Sequence, residues 1–127
     1  MATEWHEQME KLRPETQDMT RALQSFIEEL EAVSWYQQRV DAATDPELKQ
    51  ILQHHANEEK EHAVMLLEWV RRRDPRWDEH LREYLFKSGN IVAQEAAATG
   101  KGGSEAAPPA AVPSANQFTV GNLRGRS

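Results

Sequence analysis

The chain has 127 residues, 39% hydrophobic and 28% charged, with a formal net charge of -6. That length allows one small domain, and the acidic balance argues against a nucleic-acid partner, whose electrostatic footprint should be basic. There are no cysteines, which excludes disulfides, thiolate catalysis and cysteine-held iron–sulfur clusters.

Residues 1–14 show no clear hydrophobic period and include Pro14, so they read as a mobile lead-in. The segment Met1–Gln17 is polar, without the apolar run of a signal peptide, and no stretch is long and apolar enough to enter a membrane. A cytoplasmic protein with no membrane partner is the expectation.

From about Glu15 to about Ala43 the pattern is helical. Ala22, Phe26, Glu29, Val33, Tyr36 and Val40 alternate in steps of four and three, the spacing of one coiled-coil-like seam. Met19, Leu23, Ile27 and Leu30 widen that seam into a broad apolar face. Thr44-Asp45-Pro46-Glu47 then reads as a stop and restart, with Asp45 as N-cap and Pro46 in the first helical position.

A second helix is predicted from there to about Arg73, with a seam of Leu48, Leu52, His55, Glu59, His62, Leu66 and Trp69. Arg71-Arg72-Arg73 reads as a cationic helix end suited to the macrodipole rather than a phosphate site. Asp74-Pro75 opens a shorter third helix to about Lys87, ended by Ser88-Gly89-Asn90. A weak helical stretch follows over Ile91–Ala98, closing a helical domain of residues 15–98. Residues 99–115 are Gly-, Ala- and Pro-rich, a flexible linker that cannot bury a core. Residues 116–127 regain apolar side chains at Phe118, Val120 and Leu123, the pattern of a docking peptide on a tether.

The expected fold is therefore all-α: an antiparallel two-helix hairpin plus a short third helix. Two long helices bury only one side of each seam, so two hairpins closing into a four-helix bundle is the simplest solution. That makes a second copy of the chain the first expected partner.

Each seam holds residues foreign to an apolar core. Glu29 sits in the first; Glu59 and His62, a Glu-x-x-His pair on one helical face, sit in the second. An uncompensated buried carboxylate is costly, and di-iron carboxylate bundles use this ligand set, one Glu from each of two helices and one Glu-x-x-His from each of the others. One chain supplies half of it. The four carboxylates and two neutral imidazoles of two copies match the charge of two ferrous ions, giving iron, two ions per dimer, as the expected metal. Zinc would bind such oxygen and nitrogen ligands at least as well, so affinity alone does not select iron. Set against this, a lone Glu-x-x-His is common, and Glu59 in a shifted register would be a solvated salt-bridge residue.

The segments Ile27-Glu28-Glu29-Leu30-Glu31-Ala32-Val33-Ser34-Trp35-Tyr36, Asn57-Glu58-Glu59-Lys60-Glu61-His62-Ala63, Leu67-Glu68-Trp69-Val70-Arg71-Arg72 and Tyr84-Leu85-Phe86 resemble the encapsulated ferritins. The resemblance covers about Glu15 to Ile91. It implies a ferroxidase that oxidises Fe(II) to Fe(III) with dioxygen, at a di-iron centre made by Glu29, Glu59 and His62 of both chains. It also implies dimers assembled into a ring of five, a homodecamer.

By the same resemblance Trp35 and Tyr36 surround the centre, and Glu28 and Glu31 draw metal inward. His54, Glu58 and Glu61 match a peripheral metal position, and calcium or zinc would suit the uptake or peripheral positions. From the residues alone, Tyr36 is equally a core aromatic, and Glu28, Glu31, His54, Glu58 and Glu61 are ordinary charged helix surface. His55 is not one of the family's ligands and reads as packing or hydrogen bonding.

Phe118-Thr119-Val120-Gly121-Asn122-Leu123-Arg124-Gly125 resembles the targeting peptide of encapsulin cargo, with Asn122 where a smaller residue such as Ser is usual. Phe118, Val120 and Leu123 would dock on the encapsulin shell protein while Gly121 lets the backbone turn. That places the protein inside an encapsulin nanocompartment, where oxidised iron is stored. The alternative is a non-catalytic cargo that buffers iron or zinc without consuming dioxygen.

Overall fold

The computed structural model describes residues 5–100, and every regular element among them is helical. A single 3-10 turn, Met9–Lys11, precedes α1 (Pro14–Ala42); then come α2 (Pro46–Arg73), α3 (Pro75–Tyr84) and α4 (Ile91–Gly100). The linker from residue 101 and the peptide with Phe118, Val120, Gly121 and Leu123 lie outside the described residues. Residues 5–74 and 75–100 belong to two separate compact units.

In the first unit, α1 starts at Pro14, where a proline lacking its N–H costs nothing. The lead-in is tied to it: the Gln17 side-chain amide donates to the carbonyls of Met9 at 3.3 Å and Leu12 at 3.2 Å. After the short Ala43–Asp45 connection, the Asp45 carboxylate accepts from the Leu48 N–H at 2.8 Å, and Pro46 opens α2. This N-cap and proline are the restart expected from the sequence. Lys49 Nζ donates back to the Ala43 carbonyl at 3.2 Å, closing the turn.

Residues pair across α1 and α2 in opposite order, Gln37 with Gln53, Tyr36 with His55 and Glu29 with His62, so the hairpin is antiparallel. At 1.5 Å per residue each helix runs for roughly 40 Å. The buried side chains are Ala22 on α1 and Ala56, Ala63 and Val70 on α2. Ala56, Ala63 and Val70 form the most buried line of α2. Beside it Leu52, Glu59, His62, Leu66 and Trp69 of the expected seam are half-buried, and His55 packs on Tyr36 of α1. Small side chains let two helix backbones approach closely, which suits the alanines to the contact line.

The seam leaves much apolar surface uncovered in a single chain. Ile27, Leu30 and Trp35 of α1 and Leu48, Ile51, Val64 and Met65 of α2 are all exposed. No helix among the described residues is long and apolar enough to cross a membrane.

The second unit pairs α3 with α4. α3 ends at Tyr84, three residues short of the expected Lys87. The Leu85 N–H still reaches the Leu81 carbonyl at 2.9 Å, and Phe86 then turns left-handed at φ 61°. That conformation costs a non-glycine residue about 1–2 kcal/mol and stops the helix. Gly89 continues the turn at φ 96°, a value open to glycine without strain. Asn90 then caps α4, accepting from the Ala93 N–H at 2.9 Å. The helix runs to Gly100, two residues into the stretch expected as linker.

Candidate metal centre

Near the middle of the hairpin, α1 places Glu29 opposite Glu59 and His62 of α2. Each offers one ligand atom, and these atoms lie within 4.8 Å of one another. The i, i+3 spacing puts Glu59 and His62 on one strip of α2. Phe26 and Val33 flank Glu29 on α1, one turn away on either side. All three residues expected as ligands from the sequence are therefore brought together, and among the described residues they form the group able to hold a metal ion.

The three side chains lie close enough to shape one another's charge. His62 Nδ1 is 3.2 Å from Glu59 Oε1 and 3.9 Å from Glu29 Oε1. Glu29 and Glu59 share a hydrogen bond, and it splits their acidities. The Glu29 carboxyl is raised above its usual range, first by that bond, then by loss of water and by the Glu59 charge. Glu59 is lowered, first by the same bond and further by His62, against the opposing effect of burial. Two carboxylates and an imidazole this close together favour a nearby positive charge, which a divalent cation supplies.

The other candidate residues are distributed around this group. Tyr36 meets His55 edge to face with ring centroids 5.2 Å apart, and the Arg39 guanidinium lies 5.3 Å from the Tyr36 centroid. Tyr36 thus belongs to the hairpin one to two turns from Glu29, as expected, and packs on His55. Trp35 is 52% exposed and contributes nothing to the core of one chain. Glu28 and Glu31 are exposed on α1 and join no three-residue ligand group. His54 and Glu58 approach to 3.9 Å, but with Glu61 they make no such group within one chain. Sequence reasoning gave His55 no electrostatic part. Its position one turn before Glu59 lets it add to the field that lowers that carboxyl.

The arginine run at the end of α2 is structural, as the sequence suggested. Glu68 accepts from Arg71 Nε and Nη2, both at 2.8 Å, and from Arg72 Nε at 2.7 Å, which pulls its carboxyl down to about 2. Arg73 stacks 3.8 Å from the Trp69 ring centroid.

A helical hairpin with two carboxylates and an imidazole between its helices matches, in residue type, half of the ligand set that carboxylate-bridged metal bundles use. The chain belongs to the EncFtn-like family, whose profile matches residues 4–88. It is 54% identical to the encapsulated ferritin-like protein of Rhodospirillum rubrum over 124 residues, 96% of this chain and 89% of that one. It is 37% identical to the encapsulin nanocompartment cargo protein EncC of Myxococcus xanthus, over 84% of this chain and 85% of that one. The crystal structure of protein ne0167 from Nitrosomonas europaea superposes with a TM-score of 0.68 at 55% identity, over 69% of this chain and 97% of that one.

Proposed function

We propose that this protein is a ferroxidase whose di-iron centre forms only when two hairpins pair, and that it works as cargo of an encapsulin compartment. The observation that carries the reading is the convergence of Glu29 from α1 with Glu59 and His62 from α2. Oxygen and imidazole donors without thiolate suit ferrous iron, and three ligand residues are too few to hold a pair of ions. A second copy doubles the set. It would also cover apolar surface that one hairpin leaves exposed, such as Ile51 and Met65. The names of the Rhodospirillum and Myxococcus relatives support the ferritin-like and encapsulin-cargo parts of the reading.

Ferrous iron is the substrate: two ions give one electron each to one dioxygen, which with two protons from water is reduced to the level of hydrogen peroxide. The protein's residues do the rest. Glu29 and Glu59 would hold the cations through their carboxylates, with Glu59, which faces both Glu29 and His62, as the bridging carboxylate. His62 supplies a neutral nitrogen donor. Glu28 and Glu31 would attract cations along α1, Trp35 and Tyr36 would line the paired site, and His54, Glu58 and Glu61 would hold a peripheral calcium or zinc ion. Rings of five dimers, and docking through Phe118, Val120, Gly121 and Leu123, complete the assembly.

The reading is tested by metal stoichiometry against protomer concentration. Paired chains should bind one central ion per chain, and both binding and oxidation rate per chain should fall together as dilution separates the hairpins. A rate per chain that is independent of dilution, measured where sedimentation shows single hairpins, would rule out a shared centre.

A further inference from the structure

Glu58 stands outside the Glu29–Glu59–His62 group, yet touches it. On α2 it falls four residues after His54 and four before His62, so the three side chains share a helical strip. Its two oxygens divide between the imidazoles: Oε2 lies 3.9 Å from His54 Nε2, and Oε1 lies 3.8 Å from His62 Nε2. The other ring nitrogen of His62, Nδ1, is the one turned to Glu59 and Glu29. The His62 ring thus has carboxylates on both sides, and each side addresses a different nitrogen.

An imidazole can give a metal only an unprotonated nitrogen, and its remaining proton then sits on the other one. A histidine ligand usually gives that second N–H to a carboxylate or carbonyl, which fixes the ring's orientation and raises its basicity. The carbonyls along the middle of α2 are engaged in helical bonds. Glu58 is the carboxylate that the fold sets against Nε2. Its side chain is 47% exposed, so small rotations of both side chains, or a bridging water, can close the present gap.

We propose that Glu58 is a positioning residue for the metal centre: it accepts the Nε2–H of His62 and so holds Nδ1 toward the ions. This rests on the reading of Glu29, Glu59 and His62 as the ligands. Because Glu58 also meets His54, the same carboxylate joins the centre to the outer face of α2.

The test is a cobalt(II) titration of the metal-free full-length protein, followed by visible absorption and without turnover. Glu58→Ala should weaken cobalt binding at the centre by about 10–100-fold and alter the absorption band. Glu58→Gln, whose amide oxygen can accept the same hydrogen bond, should bind close to wild type. Wild-type affinity in Glu58→Ala, or a Gln variant as weak as the Ala variant, would overturn the proposal while leaving the ligand set standing. A wild-type cobalt signal that survives Glu59→Ala would instead remove the ligand reading, and the role of Glu58 with it.

Discussion

Glu29 and Glu59 face each other from opposite helices of the hairpin, the first carboxyl raised above its ordinary range and the second lowered, with His62 Nδ1 3.2 Å from the Glu59 carboxylate. The fold brings two acids together at a cost in repulsion, which a cation bound between them would relieve.

The first prediction follows from that pair of acids. Glu29→Gln retains a donor for the Glu59 carboxylate but removes the charge that a metal needs. In the presence of a chelator the variant should be as stable as wild type or more so, by about 0.5–1 kcal/mol, the net worth of one hydrogen bond. It should lose most of its affinity for divalent ions. Thermal unfolding with and without zinc checks both: added metal should raise the wild-type midpoint and leave that of the variant unmoved.

The alanine line of α2 predicts sensitivity where composition suggests none. Ala56 is fully buried against α1, at 0% exposure. Ala56→Leu should overpack the hairpin and cost about 1–3 kcal/mol. Denaturant unfolding of this variant beside a Val64→Ala control, altered at an exposed site, tests whether the contact line runs through Ala56.

Exposed apolar residues make the converse prediction. Met65 is 61% exposed in one chain. Met65→Asp should leave helix content by circular dichroism unchanged but weaken self-association by about tenfold or more, ~1.4 kcal/mol. Sedimentation velocity across a concentration series reads the shift toward single hairpins; an unchanged distribution would place the pairing surface elsewhere.

The Glu68 cluster predicts an acid response. Its carboxyl is lowered to about 2 by Arg71 and Arg72, against an ordinary value of 4.5. A carboxyl lowered on folding contributes stability above its unfolded value, and that contribution is lost as pH falls through the folded one. The stabilisation from this cluster should therefore be complete above about pH 4.5 and fade toward pH 2. Glu68→Gln should lose that pH-dependent part, so wild type and variant should unfold alike near pH 2 and diverge at higher pH.

Much of this architecture was legible in the sequence because its signals are local. Asp45-Pro46 and Asp74-Pro75 announce helix starts whatever surrounds them. The spacing of Glu29 against Glu59 and His62 also carried through to the structure. What was not legible depended on the partner helix. That Ala56, Ala63 and Val70 take the most buried line of α2 depends on the interhelical approach, which hydrophobic periodicity does not encode. The early end of α3 rests on a left-handed Phe86, where glycine or asparagine would have been the expected signal. The tie between Gln17 and the lead-in carbonyls has no motif at all, and Glu58 gains its meaning only from which nitrogen of His62 it faces.

The central claim is catalysis by a centre that includes Glu59. It is tested most directly by the initial rate of ferrous oxidation in air, for wild type and Glu59→Ala at equal protomer concentration. The account predicts a fast wild-type rate that drops to the buffer background in the variant, with helix content intact. A wild-type rate no faster than buffer, or a variant as fast as wild type, would contradict it.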